Sequence, residues 1–226
     1  MKRVLGSDNM SELNNELKLL ENKRIRAIID AAKVEFGING IINTKLKDIS
    51  KRAKVGEATL YRNFTDKTAL VKLVAYDYWY EESLFFEKYL KENILESDSG
   101  LNKLVAFVSV FKISYNEHVE FLKFIEDVDN YMMKIENESR ASGFEVMILK
   151  LKEYFISMVV EGMEDGSIRP GIDVEEAYAL MSQVFIPVVQ NLAIRVGYLQ
   201  SDDGLDTEKL LNNLIQMFVC VIQNNQ

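Results

Sequence analysis

The chain has 226 residues, 48 % of them hydrophobic, with only 2 Pro, 11 Gly and 1 Cys. That supplies a sizeable core for one large or two modest domains, and so few breakers favour long helices. The single Cys220 excludes a disulfide framework and suits a reducing, cytoplasmic setting. The net charge of −8 argues against a nucleic-acid partner only on average. Residues 1–75 carry 15 Lys+Arg against 9 Asp+Glu, the remainder 12 against 26: either a chance clustering or a basic contact surface on an acidic body.

No N-terminal stretch has the apolar centre of a signal peptide, and no run of 18 apolar residues offers a membrane span. Residues 1–20 are polar, with Met1 to Met10 expected to be disordered and Ser11 a possible helix cap. Ile25, Ile28, Ile29, Ala32 and Phe36 recur at helical spacing until Gly37 and Gly40. Leu46, Ile49, Ser50 and Ala53 mark a very short helix, for which Thr44 is the expected N-cap. Another short helix follows Gly56, with Leu60 and Phe64 buried. A long one starts at the cap Asp66 and runs through Leu70, Leu73 and Val74 into the aromatic stretch ending at Phe86. Further helices are expected over 101–115, 117–134, 144–164, from the cap Asp173 to about 198, and over 206–223. Pro187 inside the penultimate one should free the Gln183 carbonyl and bend the helix. No sustained alternation or hairpin signal suggests a strand, so the expected fold class is all-α.

Two very short helices joined by Ala53-Lys54-Val55-Gly56 have the layout of a helix-turn-helix, with Ile29, Phe36, Ile49, Val55, Leu60 and Phe64 as its core. The third helix opens with Glu57-Ala58-Thr59 and continues with Tyr61, Arg62 and Asn63, small or hydrogen-bonding residues suited to base edges in the major groove. Tyr61 follows the buried Leu60 and should point outward, where its ring could pack on sugar or a thymine methyl; the alternative is a ring packed on a neighbouring helix. Glu57 could accept from a cytosine amine or simply favour its helix end. Lys67 stands in the first turn of the fourth helix, where a cation opposes the macrodipole unless a phosphate docks there. Lys45 and Lys47 invite the same reading.

The stretch "IRAIIDAAKVEFGINGIINTKLKDISKRAKVGEATLYRNFTDKTAL", residues 25–70, resembles the DNA-binding domain of the tetracycline-repressor (TetR) family. The resemblance is carried by Ala32, Phe36, Gly40, Thr44, Ile49, Ala53, Val55, Thr59-Leu60-Tyr61, Phe64, Lys67 and Leu70, and beyond it by "GSIRPGIDVEEAYAL". It implies base contacts from Glu57, Ala58 and Tyr61, and phosphate contacts from Thr44, Lys47, Thr59, Asn63 and Lys67. Three positions depart: Lys54 stands where the family usually has Gly, Gly56 replaces a Ser or Thr cap, and Lys45 replaces a hydroxyl. If position 54 is left-handed, Lys strains it.

The implied organisation is an N-terminal extension (1–20), a helix-turn-helix DNA-binding domain (21–68) and a helical effector-binding and dimerisation domain (69–226). Apart from the resemblance, Leu210, Leu211, Leu214, Ile215, Met217, Phe218, Val221 and Ile222 form an apolar face too wide for one neighbour. Residues 174–198 are similarly broad. The expected partners are therefore double-stranded DNA and a second copy joined through helices at about 174–198 and 206–223, unless both faces are internal. A small, largely apolar or aromatic effector is the third expected partner. Its candidate lining is Phe107, Phe111, Tyr115, His118, Phe121, Tyr131, Tyr154, Met158 and Phe185, residues that plain core packing explains equally well. One His and one Cys do not make a soft-metal site, and no phosphate loop, nucleophile elbow or His–carboxylate array points to a cofactor or to catalysis. The expectation is a ligand-responsive repressor; the alternative is an all-α scaffold with a vestigial DNA-binding head.

Overall fold

The computed structural model describes residues 18–135, 144–195 and 204–224, with backbone alone for 144–147. The extension at 1–10 and the cap at Ser11 lie outside the described residues. Every element among those described is a helix: α1 (Lys23–Asn43), α2 (Leu46–Arg52), α3 (Glu57–Asn63), α4 (Lys67–Asn93), α5 (Gly100–Glu117), α6 (Val119–Lys134), α7 (Phe144–Glu164), α8 (Val174–Leu180), a π-helical turn (Met181–Phe185), α9 (Ile186–Arg195) and α10 (Thr207–Ile222). The chain forms two compact units, one holding the chain as far as Ser83 together with Phe124–Ile148, the other Leu84–Lys123 and the chain from Leu149. The boundary falls inside α4, α6 and α7.

In the first unit Asn22 caps α1, its side chain accepting from the amides of Arg24 and Ile25. The helix does not stop at Gly37. It continues to Asn43 across a kink at Gly40, whose φ of 72° is the left-handed conformation that favours glycine. The expected core is present: Ile29, Phe36, Ile49, Leu60 and Phe64 are buried, and only Val55 is half-buried. α1 is fastened to α4 by charge. The buried Asp77 pairs with Arg26 at 2.6 Å and Lys33 at 2.6 Å, and Glu81 pairs with the same two cations. These partners hold the Glu81 carboxyl below its ordinary range, although burial acts in the opposite sense.

In the second unit an aromatic cluster forms the centre. Phe107, Phe111, Phe86 and Phe155 meet edge-on at 5.1–6.2 Å, and Phe185 and Phe218 extend the cluster at 6.0–6.3 Å. Ser99 caps α5, whose remaining first-turn amides donate to Asp165 and to the Ser167 hydroxyl. The Ser167 hydroxyl and the amides of Gly100 and Ser167 hold the Asp165 carboxyl below its ordinary range. Asp173 caps α8 as expected. Pro187 is accommodated by the π turn, in which the Ile186 amide reaches five residues back to the Met181 carbonyl. The 22 residues Val174–Arg195 are long and apolar enough to cross a membrane by length and composition. Ala177, Met181, Phe185 and Val189 nevertheless pack inside the unit.

Two glycines test this packing. A Cβ at Gly100 would stand 2.1 Å from the Gly162 nitrogen, a backbone atom that cannot yield, whereas one at Gly37 meets nothing within 4 Å. In thermal denaturation, Gly100→Ala should destabilise by about 1–3 kcal/mol. Gly37→Ala, in an exposed helix interior, should stabilise by about 0.5–1 kcal/mol.

Candidate nucleic-acid interface

The turn between α2 and α3 is a complete Schellman motif. Ala53 is the C-cap, the Lys54 amide donates to the Lys51 carbonyl at 3.2 Å, and the Val55 amide donates to the Ser50 carbonyl at 3.0 Å. This geometry requires a left-handed residue after the cap, and Lys54 has φ 55°. The sequence departure is therefore a strained position in an intact turn. Gly56 then takes the N-cap place of α3 without any side-chain cap.

α3 turns Leu60 into the core and leaves Glu57, Ala58, Tyr61, Arg62 and Asn63 exposed, with Thr59 half-buried. Tyr61 is 55 % exposed, so its ring is turned largely to solvent and stands outside the core. The Asn63 amide also donates to the Thr59 carbonyl at 2.6 Å, which fixes its side chain along the helix. Lys45 and Lys47 are exposed at the start of α2.

Two expectations are corrected. Thr44 does not cap α2: that place is taken by Lys45, which makes no side-chain cap bond. Thr44 is 3 % exposed, and its hydroxyl lies 2.7 Å from the Gly40 carbonyl and 3.1 Å from the Glu35 carbonyl, at the end of α1. Its hydroxyl is thus committed to the end of α1. Lys67 has an internal use that its position in the chain does not reveal. Its ammonium donates to the carbonyls of Ile41 (2.7 Å), Ile42 (2.9 Å) and Thr44 (3.2 Å), the open end of α1. Burial pushes its pKa down, against the pull of Asp127. Asp66 caps α4 as expected, accepting from the Ala69 amide at 2.8 Å.

The structure adds residues that sequence spacing did not find. Asp127, on α6, accepts from the Ile41 amide at 2.6 Å, directly after the Gly40 kink. On the same face of α6, Phe124 stacks on Phe36 at 6.0 Å and meets Tyr78 at 4.8 Å, and the Tyr131 hydroxyl hydrogen-bonds with that of Thr68 at 3.1 Å. Glu35, buried in α1, accepts from Arg52 at 2.6 Å and from Asn39 at 3.0 Å, tying α2 to α1. The candidate effector residues separate. Tyr131 belongs to the first unit, beside the head. Phe107, Phe111 and Phe185 are buried against one another in the second, and Phe121 is buried there too. Tyr115 and His118 are half-buried at the end of α5, where His118 is the C-cap and sits edge-on to Phe85 at 4.5 Å. Tyr154 and Met158 line an open groove of about 1050 Å³ with Leu84, Leu90 and Ile94. Among the described residues no three His, Cys, Asp or Glu side chains stand together as a metal site.

A three-helix head whose third helix stands exposed, in a chain whose described elements are all helical, has the layout of a helix-turn-helix DNA-binding domain. Residues 28–74 match the bacterial regulatory proteins of the tetR family. The chain is 25 % identical over 202 residues to the uncharacterized HTH-type transcriptional regulator YvkB of Bacillus subtilis, covering 88 % of this chain and 95 % of that one. It is 23 % identical over 206 residues to the fatty acid metabolism regulator protein of the same organism, covering 87 % and 94 %. Its fold resembles the ketosteroid transcriptional regulator KstR2 of Mycobacterium tuberculosis (TM-score 0.58, 16 % identity, covering 91 % and 97 %). It also resembles Bacillus subtilis FadR in complex with stearoyl-CoA (TM-score 0.59, 21 % identity, covering 86 % and 97 %). Residues 28–74 thus carry a helix-turn-helix segment of the tetR type within this chain.

The turn and the clamp give opposite stability predictions. Lys54→Gly relieves the left-handed strain and should stabilise by about 1 kcal/mol. Lys67→Met leaves carbonyls at the end of α1 without their donor and should destabilise by about 1–3 kcal/mol. Urea denaturation of both variants checks the two signs.

Proposed function

We propose that the chain is a ligand-responsive repressor that binds a pseudo-palindromic operator as a homodimer and is released by a small molecule. The observation that carries the DNA reading is the α3 surface, where Tyr61 stands 55 % exposed between Glu57-Ala58 and Arg62-Asn63. A large ring held in water by a well-packed helix gains by docking on sugar and base edges. Glu57, Ala58 and Tyr61 are the proposed base contacts, and Lys45, Lys47, Thr59, Arg62 and Asn63 the proposed backbone contacts; the Lys67 ammonium serves the end of α1 instead. Thr44 is left out on the strength of its burial. The Schellman turn is intact at Lys54, which supports a working head over a vestigial one.

Dimerisation is supported by two uncovered apolar stripes in the second unit. On α10, Leu210, Met217 and Val221 are exposed and Leu214 is half-exposed, a 4-3-4 spacing opposite the buried Leu211, Ile215, Phe218 and Ile222. On the helix before it, Leu180, Val184, Pro187 and Ile194 are exposed on one face. Two such helices from each of two copies make a four-helix interface around a twofold axis. The groove beside Tyr154 and Met158 has apolar walls from Leu84, Leu90 and Ile94 and a rim of mixed charge from Lys88, Lys91, Glu87, Glu92 and Glu96, which suits a largely apolar effector. The names of the FadR and KstR2 relatives point the same way, towards acyl or steroid chemistry. In the proposed mechanism, an effector in the second unit shifts α6, whose Phe124, Asp127 and Tyr131 grip the head.

An operator selected by the full-length protein from a randomised duplex pool should be a two-fold repeat. Tyr61→Ala should lower affinity for it by about tenfold or more without changing the melting temperature, since the ring contributes nothing to the core. Undiminished affinity in Tyr61→Ala would contradict the reading. The double variant Val184→Lys/Met217→Lys should run as a monomer in light scattering, because it places charges in the proposed interface; a persistent dimer would contradict the assignment of the stripes.

A further inference from the structure

The DNA reading places the interface on α2, α3 and the start of α4. The start of α1 carries a second feature that this interface does not use. Asn22, Lys23 and Arg24 line a notch of about 490 Å³ together with Arg62 and Asn63 at the end of α3. Every residue of the lining is exposed, none is acidic, and three are cations. No carboxylate among the described residues pairs with Lys23, Arg24 or Arg62, whereas Arg26, two residues further along α1, is paired to Asp30, Asp77 and Glu81.

The placement is unfavourable for a head on its own. The first turn of α1 has no acidic residue, and cations there oppose the helix macrodipole at roughly 0.3–1 kcal/mol each. Asn22 already satisfies the amides of Arg24 and Ile25, so the cations are not needed for capping. An anion in the notch would offset the cost of both α1 cations and would pair with Arg62, which lies in the last turn of α3. It would also be continuous with the reading surface, because Arg62 and Asn63 directly follow Tyr61 on α3. A backbone phosphate lying beside the groove that α3 occupies has the required charge and size.

We propose that Lys23 and Arg24 of α1, with Arg62 of α3, form a phosphate-binding notch that extends the DNA interface onto the start of α1. The proposal rests on the DNA-binding reading of α3 and adds backbone contacts to it. Such contacts strengthen binding on any sequence and steepen its salt dependence, without adding base discrimination.

The test is the full-length Lys23→Ala/Arg24→Ala variant, titrated by fluorescence anisotropy against the selected duplex and a scrambled duplex over a salt series. Affinity should fall by about tenfold on both duplexes, and the slope of log affinity against log salt should become shallower by about 2. The melting temperature should not fall, since both side chains lie outside the core. Equal affinity and slope for variant and wild type would overturn the notch while leaving the α3 reading intact. A loss confined to the selected duplex would overturn the phosphate assignment in favour of a base contact. Failure of the wild type to bind either duplex would overturn the DNA-binding reading and the notch with it.

Discussion

The head depends on how the end of α1 is held. At Gly40 the backbone turns left-handed, which frees the next amide and exposes the last carbonyls of the helix. Two oppositely charged side chains satisfy them: Asp127 takes the Ile41 amide, and Lys67 donates to the carbonyls of Ile41, Ile42 and Thr44. A charge-assisted hydrogen bond of this kind contributes about 1.5–3 kcal/mol. Its effect here is directional as well as energetic. α2 begins at Leu46, two residues after Thr44, so the angle at which α1 ends sets where α2 and α3 can pack. Glu35 reinforces the same corner by bonding Arg52 at the far end of α2.

This arrangement makes the compact DNA-binding unit larger than the stretch that matches the family. The first unit takes in Phe124–Ile148, so Phe124, Asp127 and Tyr131 of α6 are structurally part of the head. Their contacts are of three kinds: an aromatic stack on Phe36, a carboxylate on a backbone amide, and a hydroxyl on Thr68. A helix gripping the head by chemically distinct contacts can be displaced only by breaking several of them together, the behaviour of an element with discrete positions.

Much of the fold was legible in the sequence because helix signals are local. Asp66 and Asp173 sit where the caps are, and the buried positions of α1 and α3 follow the 3.6-residue period. The strain at Lys54 was readable because a Schellman turn demands a left-handed residue whatever occupies it. What escaped the sequence is non-local. Asp127 meets Ile41 across 86 residues, and no periodicity in α6 marks one carboxylate among its several as a ligand of α1. The uses of Thr44 and Lys67 were misjudged for the same reason: a hydroxyl or a cation near a helix start looks available when the neighbouring helix end that consumes it is unseen. The aromatic residues of α5 and α7 posed the converse difficulty. Their spacing fits a pocket lining and a core equally, and side-chain packing separates Phe107, Phe111 and Phe185, which fill one another's space, from Tyr154 and Met158, which face a groove.

The most direct test of this account is amide hydrogen exchange in the Asp127→Ala variant compared with the wild type. If Asp127 holds the corner on which α2 and α3 are seated, amides from Ile41 through Asn63 should lose protection together, by about tenfold or more, while the aromatic core of the second unit keeps its protection. Loss of protection at the Ile41 amide alone, with α2 and α3 exchanging as in the wild type, would contradict it.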